Sequence, residues 1–176
     1  TMAYLLFTIL KNADISVFPI VTGKWPFVLL ILVSFQILLG GMMSGMKAAL
    51  VYPSFPMMNQ FFIDPIIFNL DFWRLDNFVH YDRSAFLPAL VQFLHRCSAF
   101  AIMAVFLYAA KKNFTNSWIR SFSMVILLQI LLGVTTLVLS KARIPLFWGV
   151  AHQAIGIVCL LLSFKWVVDI KLKQTS

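Results

Sequence analysis

The stretch that decides the fold is ALVQFLHRCSAFAIMAVFLYAA, residues 89–110. It is 22 residues long and almost uninterruptedly apolar, and a helix needs roughly 20 such residues to cross a bilayer. The stretch nevertheless carries two adjacent ionisable residues, His95 and Arg96. Ionisable side chains inside a membrane segment are costly and usually serve a function. The stretch therefore predicts a transmembrane helix with a functional site inside it.

The whole chain has the composition of a membrane protein. Of its 176 residues, 61% are hydrophobic and 11% are charged, and a soluble domain of this size could not bury so much apolar surface. Three further runs are long enough to span, and Pro26 and Pro145 suit the starts of two of them. The predicted spans are 26–46, 89–110, 119–140 and 146–168.

A shorter apolar run, TMAYLLFTIL, occupies residues 1–10. It is too short to cross a bilayer, and we interpret it as the tail of a preceding transmembrane helix whose start is missing. The predicted fold class is thus an all-α integral membrane protein, a four-helix transmembrane bundle plus the tail of a preceding helix.

The connections between the spans predict the orientation of the bundle. The long connection, 47–88, holds four of the seven prolines and four of the six aspartates, and no part of it could span. Five Lys and Arg residues lie on the side of this loop and eight on the opposite side. Because cytoplasmic segments carry the excess of positive charge, we expect the loop on the outer side. The net charge of +8 is scattered between apolar runs, so we expect no nucleic-acid partner.

The sequence also contains an internal repeat. The pentapeptide QILLG occurs at 36–40 and again at 129–133, inside two of the predicted spans. Each copy is followed by a span with a histidine near its start, in LVQFLHR and in WGVAHQA. The chain reads as two copies of one helix pair, which predicts pseudo-twofold symmetry. Binding sites often lie between such repeats.

Two of the three histidines, His95 and His152, are the candidate ligands of that site. Each lies about six residues into a span that enters from the outer side, which is about 9 Å along a helix. Two imidazoles at matching depth could hold a haem iron from both faces. Zinc fits less well because it takes four ligands. The alternative is that each histidine only bonds a neighbouring helix. His80, in the outer loop, is interpreted as a solvated residue.

Polar residues beside the histidines are candidates for contacts with a haem. Arg96 could pair with a haem propionate, or its side chain could extend to the lipid headgroups. Gln92 and Gln153 could bond imidazole or propionate groups, or they could be ordinary contacts between helices. Gln36 and Gln129 are read in the same way. The glycines of the first and third spans would let helices or a flat macrocycle approach closely.

The segment QILLGGMMSGMKAALVYPSFPMMNQFFI, residues 36–63, resembles the helix and outer loop that open the C-terminal half of haem A synthase. The family's YxxFPxM loop motif corresponds to Tyr52, Phe55, Pro56 and Met57. VQFLHR, the second QILLG and AHQA resemble the later helices in the same order. The loop lacks a cysteine pair, as in the mitochondrial and proteobacterial branch of this cytochrome oxidase assembly family.

The resemblance implies a larger enzyme of eight helices in two halves, which oxidises the C8 methyl of haem O to a formyl to make haem A. It implies that His95 and His152 are the axial ligands of one haem b cofactor. This chain, over 26–168, would be the C-terminal half. The substrate site and a required glutamate belong to the other half, and this chain contains no glutamate. We therefore expect this half alone to be inactive.

The same resemblance implies the partners and the location. The partners would be haem O together with the missing half, the lipid bilayer, and either a second copy of the chain or haem O synthase. The location would be a bacterial cell membrane or the mitochondrial inner membrane. Segment 66–88 is longer and more aromatic than the resemblance implies, and a cap over the outer edge of the haem is one use for it.

Two other functions remain open from the sequence. The chain could be a small bis-histidine b-type membrane cytochrome that anchors a partner and passes electrons to quinone. It could also be an assembly factor that keeps the scaffold without haem. The YPSFPMM loop favours the synthase, because a simple anchor has no evident need for it.

Overall fold

The structure is a computed structural model that describes residues 24–111 and 114–175, with side chains described up to residue 171. The helix tail predicted at residues 1–10 lies outside the described residues. Six α-helices are present in the described part, and no β-strand is. They are α1 Trp25–Gly45, α2 Ala48–Val51, α3 Leu75–Val79, α4 Phe86–Ala110, α5 Ser117–Leu139 and α6 Leu146–Thr175. Two short 3-10 helices, Pro65–Phe68 and Leu70–Phe72, lie in the loop between α2 and α3.

Four of these helices, α1, α4, α5 and α6, are long and apolar enough to cross a membrane. The prediction of an all-α integral membrane protein is confirmed. The starts of the helices follow from local sequence: Pro26 lies in the first turn of α1, where its missing N–H costs little. The side chain of Asn116 caps α5 by accepting from the backbone N–H groups of Trp118 and Ile119. Helix α4 begins at Phe86, three residues before the predicted position, because Pro88 is tolerated within the first turn. His95 therefore lies nine residues after the start of α4, whereas His152 lies six residues after the start of α6, so the equal depth predicted for the two histidines is wrong.

The helices pack as two pairs. Helix α1 packs along α4, and α5 packs along α6, so each pair is one copy of the sequence repeat. The pairs are joined mainly by α1 against α6, whereas α4 and α5 touch only slightly. The two histidine-bearing helices, α4 and α6, have no extensive contact with each other. Both pack against α1.

One end of the bundle is closed by aromatic packing. The ring centroids of Phe106 and Phe122 are 5.0 Å apart, and Trp166 lies 6.2 Å and 6.4 Å from them. All three pairs meet edge to face, the arrangement that aromatic quadrupoles favour. These residues bring together α4, α5 and α6 where α4 ends and α5 begins, which is the side predicted to be cytoplasmic.

The long loop at the opposite end is ordered by packing and hydrogen bonds. Phe72, Trp73 and Phe78 surround Phe86 at the start of α4, with ring centroids 5.3–6.1 Å away. The indole N–H of Trp73 donates to the carbonyl of Ile67 at 2.9 Å. The aromatic residues of segment 66–88 are thus anchored on the first turn of α4.

Candidate functional site

His95, on α4, is held by a hydrogen-bonded pair of side chains. Its Nε2 lies 3.1 Å from the amide nitrogen of Gln36 on α1, and the hydroxyl of Ser98 donates to the amide oxygen of Gln36. An amide nitrogen can only donate, so Nε2 of His95 carries the lone pair and Nδ1 carries the proton. Nδ1 is buried, and no group within the described ranges accepts from it.

His152, on α6, is held by the backbone instead. Its Nδ1 lies 3.1 Å from the carbonyl oxygen of Gln129 on α5. A carbonyl can only accept, so Nδ1 of His152 carries the proton and Nε2 carries the lone pair. An Nδ1–H bonded to a backbone carbonyl is the usual arrangement of a metal-binding histidine. The two histidines therefore present the same ring nitrogen, Nε2, as the one able to bind a metal.

A glycine lies beneath each imidazole. A Cβ placed on Gly40 would lie 3.5 Å from Cε1 of His95, and one on Gly133 would lie 2.8 Å from Cε1 of His152. Both glycines close a QILLG copy, one helical turn after the glutamine that contacts the same ring. The sequence repeat is therefore a repeat in space, because the same two positions contact a histidine in each helix pair.

Arg96 takes a role that neither of its sequence interpretations contained. Its guanidinium donates to the carbonyls of Ser54 at 2.7 Å, Pro56 at 2.9 Å and Met57 at 3.3 Å, and it lies 5.7 Å above the ring of Phe55. Arg96 therefore fixes the YxxFPxM loop to the helix turn that carries His95. Its Nε–H is buried and has no acceptor among the described residues. Pairing with a propionate stays a prediction.

The two glutamines predicted to bind the cofactor lie in different surroundings. Gln92 is 1% exposed and donates to the carbonyl of Tyr52 at 3.0 Å, so it too is bonded to the long loop. Gln153 is exposed, because the residue after His152 points about 100° away around the helix. Neither is bonded to an imidazole, and their binding to a haem stays a prediction. The glutamines that do contact the rings, Gln36 and Gln129, are marked in the sequence by the repeat itself.

The remaining histidine and the cysteines are separate from this site. Nδ1 of His80 bonds the carboxylate of Asp76 at 2.7 Å in the outer loop. Cys97 is exposed, Cys159 is buried, and both are free. Within the described ranges no three His, Cys, Asp or Glu side chains cluster as a metal site would require. Any metal at His95 and His152 would thus need ligands beyond these side chains, which a porphyrin supplies.

Comparison with known proteins assigns the family. The model of the COX15-CtaA family, described as cytochrome oxidase assembly protein, matches residues 3–164. The chain belongs to this family. The resemblance inferred from the loop and helix motifs is confirmed.

Several curated relatives in this family are similar to the chain and carry the name "Heme A synthase". The protein of Wolbachia pipientis wMel is 28% identical over 149 residues, which cover 85% of this chain and 40% of that protein. That of Neorickettsia sennetsu is 33% identical over 148 residues, covering 78% and 41%. That of Methylobacterium radiotolerans is 35% identical over 141 residues, covering 76% and 36%. The chain thus spans about two fifths of the length of these relatives. No solved structure matches it significantly.

Proposed function

We propose that this chain is the C-terminal, haem b-binding half of a haem A synthase, with His95 and His152 as the two axial iron ligands. The observation that carries the proposal is that the two imidazole rings have the same tautomer and the same position against a glycine. Each presents a lone pair on Nε2, and each lies against the glycine of a QILLG copy. The names of the curated relatives support the family activity.

The chemistry of the site fits a haem. Two imidazoles without a nearby carboxylate or thiolate suit haem iron with two histidine ligands. The glycines at 40 and 133 allow a flat group to approach the helices closely. The buried and unpaired Nδ1–H of His95 and Nε–H of Arg96 are polar groups that a bound molecule could satisfy. When bound, such a haem supplies one-electron transfer.

The residues around the site would serve to hold and shield the cofactor. The carbonyl of Gln129 orients His152, and the side chain of Gln36 orients His95. Arg96 keeps the loop 54–57 at the outer edge of the site. The packed rings of Phe106, Phe122 and Trp166 exclude water from the opposite end.

We further propose that the complete enzyme oxidises the C8 methyl of haem O to the formyl of haem A. The substrate site would belong to the part of the relatives that this chain does not span, and the described chain would be inactive without it. Its partners would be haem O, the remaining half and lipid, with a second copy or haem O synthase as further candidates. The four membrane-length helices and the Lys and Arg distribution support a multi-pass protein with loop 47–88 outside.

The ligand assignment is tested by spectroscopy of the protein in detergent. The reduced-minus-oxidised spectrum should be that of a low-spin haem b, and His95→Ala or His152→Ala should abolish it. His80→Ala is the matched control, because His80 lies in the long loop and its imidazole bonds the carboxylate of Asp76. A low-spin spectrum that survives in both ligand variants would disprove the assignment.

A small electron-transferring cytochrome would give the same spectrum, so the enzymatic proposal needs a second test. The chain should be expressed together with the remaining half of a relative in cells that lack haem A synthase. Haem A detected by chromatography of extracted haems, and lost with His152→Ala, supports the synthase. Haem b binding without any haem A would favour the cytochrome.

A further inference from the structure

The two candidate ligands present the same nitrogen but are secured in different ways. His152 donates its Nδ1–H to the carbonyl of Gln129, a helix backbone group that cannot rotate away. His95 has no acceptor for its Nδ1–H within the described chain. What His95 has instead is a donor, the amide of Gln36, which bonds the Nε2 lone pair itself.

This difference affects how firmly each ring would bind a metal. Donation from Nδ1–H to a carbonyl makes the opposite nitrogen more basic and fixes the orientation of the ring. His152 has that support, and its Cε1 is tightly confined against Gly133, where even a Cβ would come within 2.8 Å. His95 lacks that support, and it has ordinary clearance from Gly40, at 3.5 Å.

Gln36 adds an alternative partner for His95. The amide nitrogen of Gln36 faces His95, and its amide oxygen faces the hydroxyl of Ser98. The bond joins Nε2, the same atom that would bind a metal. A lone pair can serve only one of the two partners at a time. Nδ1 keeps its proton in either case, so the exchange moves no proton.

We propose that His152 is the permanent iron ligand and His95 the exchangeable one, with the amide of Gln36 donating a hydrogen bond to His95 Nε2 whenever that atom is not bound to the metal. The inference rests on the proposed haem site. A small neutral ligand would then be able to replace His95 on the iron, while His152 keeps the haem bound.

The first experiment compares the two ligand variants for haem retention. Protein in detergent is reconstituted with haem b, and transfer of haem to added apomyoglobin is followed by absorbance. His152→Ala should lose haem roughly 10- to 100-fold faster than His95→Ala, because a hydrogen bond that supports a metal ligand typically changes metal affinity by that factor. Equal rates, or faster loss from His95→Ala, would overturn the assignment of roles.

The second experiment keeps both histidines and tests Gln36 alone. Carbon monoxide is mixed with the reduced protein, and the rate of the spectral change reports how often one axial position opens. Gln36→Leu should slow this rate roughly two- to tenfold, since the open state loses one net hydrogen bond. Gln60→Leu is the matched control, because Gln60 is exposed in the loop between α2 and α3. An unchanged or faster rate in Gln36→Leu would overturn the role of Gln36.

Different results would contradict the proposed function and the exchange of His95. A wild-type protein that takes up no haem contradicts the proposed function. A wild-type protein with a low-spin haem, but with equal haem loss from both ligand variants, contradicts only the exchange of His95.

Discussion

The two helix pairs build the same contact from the same sequence positions, but they hold their histidines by different groups. In the pair α5–α6, His152 reaches the backbone carbonyl of Gln129. In the pair α1–α4, His95 is bonded to the side chain of Gln36. The ring of His152 lies closer to its glycine than the ring of His95 does. The ring that lies closer to the neighbouring helix is thus held by the backbone of that helix, and the other ring by a side chain.

The connections differ as well. The histidine helix α6 follows α5 after only a short turn, residues 140–145, whereas α4 follows α1 after a folded loop, residues 46–85. Arg96 and Gln92 tie that loop to α4 through backbone carbonyls. The pair α5–α6 is therefore held together by its helices alone, whereas the pair α1–α4 is also held by the long loop between its helices.

The largest expected effect comes from Gly133→Ala, compared with Gly40→Ala at the equivalent position of the other helix pair. Gly133→Ala would place a Cβ 2.8 Å from Cε1 of His152, so the ring must shift, and we expect this shift to weaken its bond to Gln129. The haem content of purified protein should fall roughly tenfold or more, measured by the pyridine haemochrome method. Gly40→Ala, at 3.5 Å from His95, is the control and should keep most of its haem. Equal losses of haem in both variants would mean that the two histidine rings have the same clearance from their glycines.

A smaller effect is expected from Arg96→Lys. A lysine keeps the charge but cannot reproduce the planar fork that serves three carbonyls. Losing hydrogen bonds to a charged group should lower the free energy of local opening by roughly 1–3 kcal/mol. Hydrogen exchange of residues 52–60 should become faster, while exchange in α5 and α6 stays unchanged. Arg83→Lys is the control, since Arg83 is exposed and lies 3.7 Å from Asp76. No change in exchange at the loop would mean that packing alone holds it.

The smallest effect concerns Tyr52 and pH. Burial raises the pKa of the Tyr52 phenol, and so does its hydrogen bond to Asp64, which is 2.8 Å long. Since the folded pKa lies above the ordinary value of about 10, the loop keeps this stability below pH of about 10 and loses it as the pH rises further. Tyr52→Phe should weaken the loop by about 1 kcal/mol at neutral pH.

The measurement for Tyr52 is hydrogen exchange of the loop as a function of pH, corrected for the intrinsic exchange rate. Wild-type protein should show extra opening at alkaline pH, and Tyr52→Phe should not. The same alkaline opening in the variant would assign it to another group.

The sequence predicted the main parts of the site. The apolar runs and their prolines located the four membrane helices to within a few residues, since a bilayer requires a certain length of apolar helix. The repeat of QILLG followed by a histidine selected His95 and His152, and the structure confirms that the repeat is spatial. The tail predicted at residues 1–10 and the contacts of Gln153 with a haem stay predictions.

The sequence did not predict the partners of Arg96 and Gln92. Their acceptors lie about 40 residues earlier in the chain. Every residue has a backbone carbonyl, so the sequence does not indicate which one accepts a hydrogen bond. Gln92 lies one turn before Arg96, so both face the loop that α4 supports. The exposure of Gln153 follows from helix geometry, because adjacent residues on a helix point in different directions.

By itself, the sequence determined that this protein is a bundle of membrane helices in two repeated pairs, and that each pair carries one histidine on its second helix. Hydrophobic length and periodicity are local properties, so they can be read from the chain alone. Only the tertiary structure decided that His152 is held by a backbone carbonyl and His95 by the amide of Gln36. That choice depends on how closely two helices approach, and the approach is set by packing over the whole bundle.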